Sequence, residues 1–307
     1  MALTNLATTP AGFLGALVSS DLRPPKAKKE EDNILRIFDL VGGRCIKEFP
    51  VLWDGGGRRV AFSRDGKTIY VGCYNVHGLA CYSVDTGKEL WRRKDLKGVQ
   101  AIYVCMTQDQ VFCEREGACP LLKGATGETF LLPRGVKAVW FSPFGDIALI
   151  EKGKQAKLEI HQPLGNQIGK FPRGSFCVNG AAFSEDVLLL KEPSIGLRAI
   201  DLKSSSEIWR FPIKDPLNWY SLAYSTKRKV FIASRISDGQ YSLLAIFPND
   251  GKSFCSGTVE QFRGDFFGDG EFYVDREGST YSVESGQMLL HRLFEARFIL
   301  RNAVQEP

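Results

Sequence analysis

The parts of this 307-residue chain that could do chemistry are three histidines, eight cysteines and two short runs rich in glycine or acid. A triad or histidine metal centre would have to be drawn from His77, His161 and His291, which are far apart in sequence and would have to converge through the fold. His161 follows Ile160 in a strand-like stretch and His291 closes another, so both read as strand residues. His77 follows Tyr74 in a connecting segment and is the one expected at the surface. The run DFFGDGEFYVD over 265–275 has acidic spacing faintly like a calcium loop, but it lacks the D-x-[DN]-x-[DN]-G order and the distal glutamate of that loop. Acids in turns between strands account for it. The glycines of DGGGRR, 54–59, could approach a phosphate, yet no strand–GxxxxGK[ST]–helix or GxGxxG arrangement surrounds them. No CxxC pair occurs, and Cys73, Cys81, Cys105 and Cys113 sit inside apolar stretches, as buried reduced thiols do. The sequence therefore assigns no catalytic residue, no metal ligand and no cofactor.

The elements that would position any site come from a repeat. An apolar strand, a turn centred on Gly or Ser and a second apolar strand recur seven times, as in 81–91 (CYSVDTGKELW), 121–131 (LLKGATGETFL) and 199–209 (AIDLKSSSEIW). The turn centres are Gly43, Gly87, Gly127, Gly165, Ser205, Gly251 and Gly286, spaced 35 to 46 residues apart. That period suits one four-stranded propeller blade. Between these hairpins lies a second unit in which an apolar strand ends in an aromatic and Ser, as in VAFSRDGKTIYVG from Val60 and VWFSPFGDIALIE from Val139. Phe62, Phe141, Phe183 and Tyr224 are the aromatic anchors expected between blades.

Two hairpins per repeat predict an all-β fold, a seven-bladed β-propeller of four-stranded antiparallel blades forming one domain over 1–307. Closure is expected from pairing the two ends of the chain in one blade. Segment 293–300 (LFEARFIL) would supply its innermost strand, beside 13–18, 34–40 and 44–49. Residues 21–33 (DLRPPKAKKEEDN) read as a flexible charged loop.

The hairpin YSVDTGKELW, 82–91, resembles the repeats of quinoprotein-like and WD-repeat propellers, and VAFSRDGKTIYVG resembles their inner hairpin. The resemblance spans nearly the whole chain. It implies a scaffold, subunit or recognition module. The chain departs from the Trp-Asp ending of WD repeats, since Trp91 and Trp209 are followed by Arg92 and Arg210.

Charge then suggests where a partner would bind. The whole chain carries +5. Five of the segments joining one repeat to the next, 50–59, 93–99, 133–137, 172–180 and 212–220, contain nine basic residues, Arg58, Arg59, Arg93, Lys94, Lys97, Arg134, Lys137, Arg173 and Lys214, against Asp54, Asp95 and Asp215. Trp53, Phe176, Trp219 and Tyr220 are interleaved with them, a mixture found in interface hot spots. The expectation is a non-catalytic module holding a protein partner, acidic in character, on this loop face. A nucleic-acid-binding propeller and a channel-sited hydrolase or lyase are the alternatives. No apolar run has the length of a membrane-spanning helix. Residues 1–20 contain no Lys or Arg, and the apolar patch 13–18 is shorter than a signal-peptide core, so a cytoplasmic protein is expected.

Overall fold

The structure is a computed structural model. It describes the chain outside residues 1–5, 9–13, 21–32, 40–41, 53–58, 75, 106–107, 116–118, 132–135, 143–147, 153–156, 162–166, 171–180, 193–195, 213–218, 238–239, 260–264, 268–270, 275–278 and 291–307.

The described residues are all-β, in four-stranded antiparallel sheets whose strands follow chain order from one edge to the other. The first sheet is β1 (Leu6–Thr8), β2 (Leu14–Ser20), β3 (Asn33–Asp39) and β4 (Arg44–Pro50). The second is β5 (Arg59–Phe62), β6 (Thr68–Gly72), β7 (Leu79–Ser83) and β8 (Glu89–Arg93). The third is β9 (Val99–Val104), β10 (Gln110–Arg115), β11 (Leu121–Lys123) and β12 (Thr129–Leu131). The fourth is β13 (Val136–Phe141), β14 (Ala148–Lys152), β15 (Lys157–His161) and β16 (Gln167–Lys170). The fifth is β17 (Ala181–Phe183), β18 (Val187–Glu192), β19 (Gly196–Asp201) and β20 (Glu207–Pro212). The sixth is β21 (Trp219–Ser225), β22 (Val230–Ser237), β23 (Gln240–Ile246) and β24 (Ser253–Val259). The seventh is β25 (Asp265–Phe267), β26 (Phe272–Val274), β27 (Thr280–Ser282) and β28 (Met288–Leu290).

The core lies between sheets. On β6, Ile69 and Val71 pack with Leu35, Ile37 and Phe49 of the first sheet. Tyr70, which points the other way, packs with Val111, Cys113 and Leu122 of the third. Inner strands buried on both faces need apolar residues at successive positions, which is why VLLLKE and VFIAS read as continuous apolar runs. Among the anchors, Phe62 and Phe183 are buried, whereas Phe141 and Tyr224 are partly exposed against their clusters.

The hairpin turns show why glycine recurs. In the second sheet the Gly87 N–H donates to Ser83 O and the Ser83 N–H to Lys88 O, and the same pair of bonds closes the turns at Gly127, Ser205, Gly251 and Gly286. The turn residue two positions before the last strand has positive φ at each, from +57° at Ser205 to +70° at Gly87 and Gly127. Three residues later the outermost strand bulges, leaving Ile46, Leu90, Phe130, Ile168, Ile208 and Leu289 without a direct partner on the neighbouring strand. The sixth sheet differs: Phe254 pairs with Ala245, and the bulge moves to Ser256.

The expectation about the two chain ends needs correction. The innermost position of the first sheet is held by β1, with Leu6 opposite Leu17, and not by a C-terminal strand. A three-residue strand is too short for its periodicity to be read, so the position looked vacant. Segment 293–300 and the charged segment 21–32 lie outside the described residues. Strand β1 runs beside β5 of the second sheet and β25 of the seventh.

Candidate functional site: a loop face at one end of the sheets

In a sheet ordered by chain sequence, the second-to-third strand connection and the exit from the fourth strand emerge at the same end. In the second sheet these are 73–78 and 94–98, and hydrogen bonds join them. The Gly98 N–H donates to Tyr74 O at 2.7 Å, Val99 N–H to Cys73 O at 3.3 Å, and Cys73 N–H to Gly78 O at 2.8 Å. Gly78 is required here: φ is +65°, and a Cβ would stand 2.1 Å from the Arg93 carbonyl oxygen. Arg115 of the third sheet fastens the second loop by donating from Nε to Lys97 O at 2.7 Å.

This fixed pair of loops presents Lys94 and Lys97, both exposed, with Tyr74 at 38% and Val76 at 50% exposure. Apolar surface beside cations suits a partner carrying both acidic and apolar groups. The sequence reading missed Tyr74 and Val76 because it followed only the segments between repeats. The signal was available in the rule that alternate connections share an end.

Several predicted residues are committed elsewhere. Arg93 donates from Nε and Nη2 to Asp95 at 2.8 and 2.6 Å, and from Nη1 to Gly127 O at 2.8 Å, so it ties the second sheet to the third. Arg59 stands half-buried on β5, and Lys137, Trp219 and Tyr220 belong to strands β13 and β21 instead of loops. Trp53, Arg58, Arg134, Arg173, Phe176 and Lys214 lie outside the described residues.

His77 is buried, contrary to the expectation that it is surface-available. Its backbone carbonyl is held by Arg92, the residue after Trp91. The Arg92 side chain is 6% exposed and donates to His77 O at 2.9 Å, to the Tyr82 hydroxyl at 2.6 Å and to Glu89 at 2.5 Å. Tyr82 also accepts the Leu52 N–H, and burial pushes its hydroxyl pKa up to about 12. Arg92, Glu89 and Tyr82 thus form one hydrogen-bonded cluster. Nearby, Tyr103 donates to Glu114 at 3.0 Å, and burial raises the Glu114 carboxyl above its ordinary range.

The other chemical candidates resolve structurally. His161 lies on β15, opposite Ala148, while His291 is outside the described residues. Glu271, from the acidic run, pairs with Lys227 of the neighbouring sheet at 2.5 Å. Among the described residues no group of three or more His, Cys, Asp or Glu is arranged to hold a metal. Cys73, Cys81, Cys105 and Cys113 are buried cysteines outside any disulfide, and burial pushes Cys81 and Cys113 up to about 12. No helix among the described residues is long and apolar enough to cross a membrane.

No family model matches the chain, and no curated protein matches it. Solved structures do. A chain in the crystal structure of the mitotic checkpoint complex superposes with a TM-score of 0.67 at 11% identity, over 92% of this chain and 85% of that one. The dihydro-heme d1 dehydrogenase NirN in complex with DHE superposes with a TM-score of 0.57 at 16% identity, over 92% and 73%. The fold is a β-propeller built of four-stranded antiparallel blades.

Proposed function

We propose that the chain is a non-catalytic binding module, a cytoplasmic subunit or regulator that holds an acidic protein partner on the loop face. The observation that carries this reading is the hydrogen-bonded pair of loops displaying Tyr74, Val76, Lys94 and Lys97. Loops fixed before binding lose little conformational freedom when a partner arrives. The buried reduced thiols support a reducing compartment. The likeness to a chain of a multi-protein complex supports a subunit role, and it does so by analogy of fold. In this reading the sheets form one domain, a seven-bladed ring, with β1 at the seam between β25 and β5.

The test is affinity capture from the native host with the wild-type chain and with Lys94→Glu/Lys97→Glu, two exposed positions whose reversal is expected to leave the melting temperature near wild type. A protein retained by the first and lost by the second supports the reading. Equal retention by both removes this face, and loss only on nuclease treatment points to the nucleic-acid alternative.

A further inference from the structure

The turns that join the first and second strands of each sheet lie at the end opposite the loop face. In the sixth sheet this turn, between β21 and β22, carries three consecutive cations, Lys227, Arg228 and Lys229. Ser225, fully buried, holds it in place. The Ser225 hydroxyl accepts the Arg228 N–H at 3.1 Å, its carbonyl accepts the Lys229 N–H at 2.9 Å, and Lys229 turns the chain at a φ of +55°. The two lysines reach to opposite sides. Lys229 pairs at 2.9 Å with Glu185, in the matching turn of the fifth sheet, and Lys227 at 2.5 Å with Glu271, in that of the seventh. Next to Glu185, Asp186 pairs with Lys203 at 3.2 Å. Arg228, between the two lysines, is half-buried with Nη1 shielded from water, and its side chain has neither an ion pair nor a hydrogen bond among the described residues. A donor that has given up water without gaining an acceptor is costly, and a charged one more so.

We propose that Arg228 is the base of a second binding site, at the end of the sheets opposite the loop face, which takes a monoanionic carboxylate. Charge selects the class. Glu185, Asp186 and Glu271 already balance Lys229, Lys203 and Lys227, so the single charge on Arg228 matches one carboxylate, whereas a dianionic phosphate would overcompensate it. Shape agrees, because two parallel N–H groups of a guanidinium meet the two oxygens of a carboxylate. The turn is held before the ligand arrives, by Ser225 and by the flanking pairs, so little conformational freedom is lost on binding.

The proposal is tested by thermal unfolding of the full chain at constant ionic strength, with sodium propionate, sodium phosphate or sodium chloride as the added salt. Propionate at about ten times its Kd should raise the wild-type melting temperature by about 2–4 °C, and phosphate and chloride by less than about half of that. Arg228→Met removes the shielded charge, so it should melt at or above the wild-type temperature without propionate and should lose the propionate shift. Arg228→Lys, which keeps the charge but not the fork, should weaken propionate by about three- to tenfold. An N-acetylated tripeptide with a free C-terminus, compared with its C-terminal amide, identifies the source of the carboxylate: a shift larger than that of propionate, lost in the amide, assigns the site to a chain terminus, and an equal or smaller one to a free small acid. Lys94→Glu/Lys97→Glu should respond to propionate as wild type does, which separates this site from the loop face. The proposal is overturned if wild type shows no carboxylate-specific shift, if Arg228→Met keeps that shift, or if Arg228→Met melts below wild type in every salt, as a purely structural role would require.

Discussion

The indole of Trp91 packs on Gly127 of the next sheet, with Nε1–H donating to Gly124 O at 2.8 Å and φ of Gly127 at +70°. A Cβ at Gly127 would lie 2.7 Å from the ring. Trp209 repeats the arrangement on Gly251, donating to Pro248 O, and Phe49 packs on Gly87 without a hydrogen bond from its ring. The one turn described with Ser in place of Gly, at Ser205, follows a sheet whose outer strand has Gly169 at the position of Trp91. Where no ring arrives, a Cβ is accommodated.

Gly127→Ala and Gly251→Ala should each destabilise the fold by about 1–3 kcal/mol, combining backbone strain with displacement of an indole. Ser205→Gly should change stability by less than about 1 kcal/mol. Urea unfolding of the three variants decides the matter, and equal losses at all three would show that the rings are not what demands glycine.

Burial separates the anchors that look alike in sequence. Phe183, buried between sheets, should lose about 3–5 kcal/mol as Phe183→Ala, whereas the partly exposed Phe141 should lose less. Thermal or urea melts of the two variants would contradict this ranking if Phe141→Ala proved the more damaging.

The blades were legible because the positive-φ turn position is glycine in every described outer hairpin but the one at Ser205, and because strands buried on both faces must be apolar at successive positions. What escaped was non-local. Strand β1 offers three residues and no period. Arg93 looked like a surface cation because its carbonyl partner, on Gly127, belongs to the next sheet. His77 looked exposed because its loop is tied down by a distant partner, Arg92 of β8, which donates to its backbone carbonyl.

Thiol chemistry should follow burial. At neutral pH a maleimide should label Cys255 well before Cys81 or Cys113, whose thiols are buried and pushed up to about 12. Peptide mapping after a short pulse measures the order. Labelling of Cys113 as early as Cys255 would mean that the sheet interface opens readily.

Acid should weaken the fold through its turns. Asp65 is held below the usual carboxylate range by the Ser63 hydroxyl, Asp95 by Arg93, Asp201 by the Ser204 N–H and Asp250 by the Lys252 N–H. A carboxyl whose folded pKa is depressed gives stability that is present above its unfolded pKa, about 3.9, and is lost as pH falls through the lower folded value. Urea midpoints should therefore fall as pH drops below about 4, with a shallower fall in Asp95→Asn. These sites are exposed, so each contributes little. A midpoint unchanged down to about pH 2 would contradict the assignment.

The loop face makes the most direct demand on the account. For a partner captured on the chain, affinity should be measured for wild type, Val76→Asp and Lys94→Glu/Lys97→Glu at low and high salt. The predicted result is that Val76→Asp weakens binding at both salt levels, while the double reversal weakens it most at low salt and flattens the salt dependence. If both variants bind the partner as wild type does at either salt level, the partner sits elsewhere and the account of this face is wrong.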